Sequence, residues 1–169
     1  MKTYPGLPEP SVEVNLSYEA SRERYQDRAE FFIASLHLCG NTGTYVDSPV
    51  HRFRGAADLS ALPLERLADL ETVVVDCSDV GDRAIDADVL ASVEVRYRAV
   101  LVRTDFSRHW GTPEYFGANP FLTAGACELL VRQGALFVGV DSLNIDDPGD
   151  PSRPAHTARI GPFGSKWPT

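Results

Sequence analysis

The chain has 169 residues, of which 43% are hydrophobic and 24% are charged, a balance typical of one globular domain with its own core. Its formal net charge of −8 at pH 7 argues against nucleic acid as a partner, because phosphate binding needs a concentrated basic surface. No apolar run approaches the roughly 20 residues that span a bilayer, so the sequence also predicts no membrane partner.

The first residues of the chain and its cysteines indicate the cellular compartment. The first ten residues, MKTYPGLPEP, hold one lysine and no apolar stretch, which is unlike a signal peptide. Cys39, Cys77 and Cys127 are odd in number, widely separated and without a CxxC pair. This usage fits free, mostly buried thiols in a reducing compartment. The sequence therefore predicts a cytoplasmic protein.

In chain order, the first strong pattern is FFIASLHL at residues 31–38, where an apolar start gives way to the alternation typical of a strand. A turn-rich connection follows. LPLERL at residues 62–67 predicts a short helical turn with Pro63 near its first position. The β-branched runs TVVVDC at 72–77 and AVLVRT at 99–104 predict two buried strands.

The clearest predicted helix is LTAGACELLVRQG, residues 122–134, with Thr123 as its cap and Gly134 as its end. ALFVGVD at residues 135–141 follows at once as a further buried strand. Strands that alternate with short helices predict a mixed α/β domain. In such folds, functional sites are usually assembled by the loops at strand ends.

Residues that could act in catalysis or bind a metal are concentrated in one segment, N-T-G-T-Y-V-D-S-P-V-H at residues 41–51. Its first four residues have the composition of a turn. If the remainder is extended, Tyr45, Asp47 and His51 point to one side, and Pro49 restricts the backbone between them. A carboxylate and an imidazole on one rigid segment can perform general base catalysis. They can equally be a structural hydrogen-bonded pair, and the spacing alone leaves both interpretations open.

The same segment resembles the cyclase family of metal-dependent hydrolases, which includes kynurenine formamidase and isatin hydrolase and carries HxGTHxDxPxH. The chain keeps five of those positions, which are Gly43, Thr44, Asp47, Pro49 and His51. The resemblance continues in order through TYPGLPEP, VVVD, LVRTDFSRHW, GVDSLNIDD and RPAH. It implies a swivelling β/β/α domain over residues 1–156, followed by an irregular tail at 157–169. It also implies that terminal strands usual in the family are missing here.

The resemblance implies roles for particular residues. Family members bind zinc or manganese through two early histidines, the aspartate, a later histidine and a late acidic residue. Position by position, Asp47 matches the metal aspartate, His156 the later ligand, and His51 the histidine that acts as general acid and base. Asn41 and Tyr45 stand where the two early histidines should be, and no residue matches the late acid.

That departure bears on the metal. Amide and phenol oxygens favour harder ions, so a site in which Asn41 and Tyr45 act as ligands suits manganese better than zinc. We associate the N-T-G-T-Y form with a variant branch that keeps an altered but working site. Two alternatives remain open: a metal-free acid/base site that uses Tyr45 and His51, and a site that has lost its function.

The resemblance implies hydrolysis of an amide, formamide or cyclic amide or lactone bond in a small, often aromatic, substrate. The nearest family activity is that of arylformamidase, which converts N-formylkynurenine to kynurenine in tryptophan catabolism. Family members assemble as homodimers or larger homo-oligomers, and the same is expected here. The competing hypotheses are a non-catalytic domain that binds a small molecule or forms oligomers, and a metal-free cyclase or dehydratase.

Overall fold

The computed structural model describes residues 6–158 of a chain that divides into two compact units, residues 1–46 and 47–169. The predicted α/β class is confirmed, with one antiparallel sheet and two parallel ones among the described residues. The proposed domain limit at residue 156 stays a prediction. Residues 159–169 of the expected tail lie outside the described residues.

The first unit contains strand β1 (Ser11–Leu16), helix α1 (Tyr18–Arg24) and strand β2 (Ile33–His37). The two strands pair in antiparallel fashion. Helix α1 begins at Ser17, whose Oγ accepts a hydrogen bond from the backbone N–H of Ala20 at 3.2 Å. Such a cap satisfies one of the N–H groups that a helix start leaves without a partner.

The β1–β2 sheet has one polar and one apolar face, because side chains alternate along each strand. Glu13 and His37 lie on the polar face, with His37 Nε2 3.2 Å from Glu13 Oε2. Val12 and Leu36 are directly paired across the strands on the apolar face. Val12 is 62% exposed and Leu36 is 71% exposed.

The strands of the second unit are, in chain order, β3 (Thr72–Asp76), β4 (Ala84–Ile85), β5 (Ala99–Arg103), β6 (Phe121–Leu122) and β7 (Phe137–Val140). Strand β5 lies between β3 and β7 and is parallel to both. Strands β4 and β6 form a separate parallel pair. The parallel arrangement brings the carboxyl ends of β3, β5 and β7 to one edge of the sheet.

The helices of the second unit are α2 (Ala87–Leu90), α3 (Ala124–Gln133) and α4 (Pro154–Thr157). Short 3-10 turns occupy Pro49–His51, Leu59–Ala61, Leu64–Arg66, Phe106–His109 and Pro113–Phe116. The turn that the sequence predicts at LPLERL is therefore present. None of the helices in the described part of the chain has the length and apolar character needed to cross a bilayer.

Helix α3 begins and ends where the sequence predicts. Thr123 Oγ1 accepts a hydrogen bond from the N–H of Ala126 at 3.2 Å. Gly134 follows the last turn with φ of 80°, a conformation that favours glycine. Ala126 and Leu130 are fully buried on the inner face of the helix.

The core of the second unit lies between β5, the β4–β6 pair and helices α2 and α3. Its innermost apolar side chains are Ile85, Leu90, Val95, Val100, Val102, Leu122 and Leu130. The expectation that β3 is a buried strand was only partly right. Val75 is 8% exposed, whereas Val74 on the opposite face is 60% exposed, and its neighbour Leu101 on the central strand β5 is 40% exposed. One face of this sheet is therefore the less covered one among the described residues.

Candidate functional site

The first part of the sequence motif forms the predicted turn. The Oγ1 of Thr42 donates a hydrogen bond to the carbonyl of Cys39 at 2.6 Å, and Gly43 has φ of +69°. Asn41 is half-buried and Tyr45 is 38% exposed. Both belong to the first unit, which ends at Val46. Their assignment as metal ligands, and that of Tyr45 as a catalytic group, stays a prediction.

The second part of the motif is a turn and not the extended segment that the sequence suggested. Pro49–His51 is a 3-10 turn, closed by a hydrogen bond from the N–H of His51 to the carbonyl of Ser48 at 2.9 Å. The N–H of Phe53 also reaches the carbonyl of Pro49 at 2.9 Å. Asp47 and His51 therefore come together across a turn, at a separation of four residues, and not as alternate side chains of a strand.

Asp47 lies between two imidazoles. Its Oδ1 is 3.4 Å from Nδ1 of His51, and its Oδ2 is 3.9 Å from Nε2 of His156. The two imidazole rings are 5.6 Å apart between centroids and inclined by 39°. One potential ligand atom from each of the three residues lies within 4.8 Å of the other two. The structure thus brings together the three residues that the resemblance singled out.

His156 is held by a residue that the sequence analysis missed. The carboxylate of Asp146 is fully buried, and its Oδ2 lies 2.5 Å from Nδ1 of His156. The same carboxylate accepts hydrogen bonds from the backbone N–H groups of Ala155 at 2.6 Å and His156 at 3.2 Å. Asp146 therefore both accepts hydrogen bonds from the first turn of helix α4 and holds the His156 ring.

Arg153 organises the loop that carries Asp146. Its Nη2 donates a hydrogen bond to Oδ1 of Asn144 at 2.9 Å, and its Nη1 donates one to the carbonyl of Asp147 at 3.3 Å. Its Nε lies 3.6 Å from Oδ2 of Asp146. Arg153 itself has φ of 49°, an uncommon conformation for a residue with a side chain. The guanidinium thus ties both ends of the loop together.

Burial and hydrogen bonding act in opposite directions on Asp146. Burial by itself raises the pKa of this carboxyl group, because it disfavours the charged form. The hydrogen bonds from His156 and from the backbone N–H of Ala155 outweigh burial and lower the pKa below its ordinary value. The carboxylate is therefore ionised at neutral pH and acts only as an acceptor.

The turn that carries His51 is also joined to helix α4. The Nε of Arg52 donates a hydrogen bond to Oγ1 of Thr157 at 3.3 Å. That hydroxyl in turn donates to the carbonyl of Ser152 at 3.2 Å. The first of these bonds connects residues 105 positions apart and keeps the two histidine-bearing segments adjacent.

The donor set fits a divalent ion. Two imidazoles and one carboxylate are common ligands of zinc and of other first-row metals. A ligating histidine usually donates its second ring N–H to a carboxylate or carbonyl, and Asp146 is placed to receive it from His156. The His156 side chain is 15% exposed and that of His51 is 41% exposed. His156 is therefore the more restrained of the two.

The chain matches the sequence model of the family described as "Putative cyclase" over residues 5–147. It is 24% identical over 126 residues to a kynurenine formamidase of Bordetella petrii, a match that covers 73% of this chain and 58% of that protein. It is 24% identical over 121 residues to a kynurenine formamidase of Polaromonas naphthalenivorans, covering 72% of this chain and 52% of that protein. The chain thus spans little more than half the length of these relatives.

Two solved structures are similar to the chain. One is an isatin hydrolase bound to the product analogue thioisatinate, with a TM-score of 0.69, 22% identity, and coverage of 89% of this chain and 64% of that one. The other is described as a "potential metal-dependent hydrolase with cyclase activity", with a TM-score of 0.60, 19% identity, and coverage of 89% and 76%. These likenesses establish the cyclase-type fold. By its sequence and its fold, the chain belongs to the cyclase family.

Proposed function

We propose that the chain is a hydrolase that acts on an amide, formamide or cyclic amide or lactone bond of a small substrate. One observation carries the proposal. In a member of the cyclase family, Asp47, His51 and His156 present ligand atoms within 4.8 Å of one another. A carboxylate and two imidazoles at that separation can hold a divalent ion and also retain a group that moves protons.

The three residues divide naturally into ligands and acid/base. His156 is nearly buried and fixed by Asp146, which suits a ligand. Oδ2 of Asp47 lies 3.9 Å from Nε2 of His156, so the two atoms can bind the same ion. Lewis acidity toward the substrate carbonyl is the chemistry that an ion held by these two residues supplies, and it is worth several kcal/mol in metal hydrolases.

His51 is the proposed general acid and base. Its side chain is the most exposed of the three, as a group that exchanges protons with water and substrate needs to be. It takes a proton from the attacking water and returns it to the leaving nitrogen or oxygen. The carboxylate of Asp47, 3.4 Å from Nδ1, stabilises the imidazolium that exists between the two transfers.

The proposed substrate class is an aryl formamide, with N-formylkynurenine as the first compound to test. Two relatives named kynurenine formamidase support this choice, although each is only 24% identical to the chain. We also propose that Asn41 and Tyr45 supply oxygen atoms to the ion or to the substrate. Such a donor set favours manganese over zinc.

The test uses the full chain in two preparations. Protein stripped with a chelator is assayed for hydrolysis of N-formylkynurenine, and the same protein is assayed after addition of manganese or zinc. We expect no turnover in the stripped protein and turnover on reconstitution, with one ion bound per chain by elemental analysis. Absence of hydrolysis of formamides and lactones in protein that has bound its ion would overturn the proposal.

A second candidate is a metal-free cyclase or dehydratase. It is favoured by the direct approach of Asp47 to His51, since the carboxylate can orient an imidazole that acts as a base without any ion. The replacement of two family histidines by Asn41 and Tyr45 also favours it. In this candidate Tyr45 acts as the acid and His51 as the base. Activity that survives chelation selects it. Ligand binding without turnover under either condition selects a non-catalytic binding domain.

A further inference from the structure

The contact between Asp146 and His156 has a consequence for the proton on the imidazole ring. We propose that Asp146 is a positioning residue that keeps the ring proton of His156 on Nδ1, so that Nε2 presents its lone pair beside Asp47. This inference deepens the proposed metal site and rests on it for its functional meaning. The location of the proton itself is a property of the chain alone.

The hydrogen bonds around Asp146 decide which atom carries the proton. The carboxylate accepts from two backbone N–H groups, those of Ala155 and His156, and offers no donor of its own. Its Oδ2 is 2.5 Å from Nδ1 of His156, so that ring nitrogen has to be the donor. In a neutral imidazole, a proton on Nδ1 leaves Nε2 as an acceptor.

Nε2 of His156 is the atom at which a cation would bind. Nε2 of His156 lies 3.9 Å from Oδ2 of Asp47, so a lone pair and a carboxylate oxygen stand close together. Oδ1 of the same carboxylate is already 3.4 Å from His51. An imidazole lone pair and a carboxylate oxygen are both ligands of divalent metals, so these two atoms would hold such an ion when the ring is neutral.

A purely structural role for Asp146 is the competing explanation. Asp146 accepts two backbone hydrogen bonds from the first turn of the four-residue helix α4. Capping of this kind needs no contact with the ring. The substitution Asp146→Asn tests the contact with the ring. An asparagine oxygen in place of Oδ1 still accepts from the N–H of Ala155, whereas an amide nitrogen in place of Oδ2 is a donor and turns Nδ1 of His156 into an acceptor. The ring proton then moves to Nε2.

The matched control is Asp147→Asn, which removes the same charge from the adjacent position. Asp147 Oδ1 accepts from the backbone N–H of Gly149 at 3.0 Å and lies 3.8 Å from Arg83. An asparagine oxygen can accept from the same N–H. This variant therefore reports the effect of lost charge in the loop without a change at the ring.

The deciding measurement is the ring tautomer in metal-free full-length protein at alkaline pH, read from the nitrogen chemical shifts of His156. We expect the Nδ1–H tautomer in the unsubstituted protein and in D147N, and the Nε2–H tautomer in D146N. An Nε2–H tautomer in the unsubstituted protein overturns the inference, even if D146N does not fold.

Zinc titration by calorimetry adds a second readout. Loss of the carboxylate partner of a ligating histidine typically weakens metal affinity about 10–100-fold, and we expect a loss of that size in D146N but not in D147N. Equal zinc affinity in the two variants overturns the positioning role. If the unsubstituted protein binds no zinc and no manganese, the proposed metal site fails, and the tautomer measurement still decides the role of Asp146.

Discussion

Oδ1 of Asp47 lies 3.4 Å from Nδ1 of His51, across one 3-10 turn that Pro49 begins. The turn makes this pair a local structure, because a closed turn fixes the separation of residues four positions apart. The second carboxylate oxygen of Asp47 remains directed to His156, which arrives from the far end of the described chain. The site therefore combines one local relationship with one that depends on the tertiary fold.

Replacement of His51 tests the assignment of the acid/base. We expect His51→Ala to lower kcat about 10²–10⁴-fold, the range that one acid/base group usually contributes. Metal content should be nearly unchanged, since Asp47 and His156 remain. His37→Ala is the control, because His37 is an exposed histidine on the β1–β2 sheet paired with Glu13. Equal activity of the two variants in steady-state assays would refute the role of His51.

Replacement of Asp47 tests the assignment of the ligand. The carboxylate serves both imidazoles, so Asp47→Asn should reduce the affinity for zinc or manganese and the turnover together. Asp79→Asn makes the same change of charge at an exposed position of the same unit. Calorimetric titration of both variants provides the measurement. Retention of full metal affinity by the Asp47 variant would exclude this residue as a ligand.

The cap of helix α3 yields a prediction about stability. Thr123 Oγ1 accepts from Ala126 and donates to Oδ1 of Asp86 at 2.8 Å. Thr123→Ala should lower the free energy of unfolding by about 1 kcal/mol, the usual cost of losing an N-cap. Thr123→Ser keeps the hydroxyl and should cost much less. Urea denaturation of the two variants is the measurement, and equal midpoints would contradict the capping role.

Cys127 yields a prediction about pH. Burial, followed by the nearby charges of Asp146 and Glu128, raises the pKa of this thiol from 9.0 to about 12. Between these values the folded state keeps a proton that the unfolded state has released, so stability falls as the pH rises. Cys127→Ala should remove that part of the slope in denaturation measured at several alkaline pH values. An unchanged slope would show that the thiol ionises equally in both states.

The apolar face of the β1–β2 sheet bears on self-association. A two-stranded sheet is only marginally stable alone, and here Val12 and Leu36 are directly paired and largely exposed. We propose that a second copy of the chain covers this face. Leu36→Lys should then lower the molar mass measured by light scattering. Ser11→Lys, on the polar face, should not. A monomeric unsubstituted protein would refute the proposal.

Much of the fold is predictable because local chemistry determines it. Helix α3 begins at a threonine that caps it and ends at a glycine with positive φ, and both signals are legible in the sequence. The β-branched runs become β3 and β5. Burial is less predictable: Val74 and its neighbour Leu101 are both exposed on one face of the sheet, and which face of a sheet is covered is a property of the tertiary fold.

The resemblance singled out Asp47, His51 and His156 by position, and the structure places these three side chains together. The sequence suggested an extended chain between Asp47 and His51, where the structure has a turn. Asp146 was visible only as part of a polar segment after a strand. Its contact with His156 spans ten residues and depends on how Arg153 closes the loop, which no periodicity reveals.

The carboxylate of Asp146 accepts a hydrogen bond from the first turn of helix α4 and also holds the imidazole of His156. One residue, Asp146, therefore affects both the folding of helix α4 and the orientation of the His156 ring. A mutation elsewhere that restores lost stability would not restore the orientation of the ring, so recovered folding alone would not recover metal affinity. We therefore expect position 146 to tolerate fewer substitutions than an ordinary helix cap.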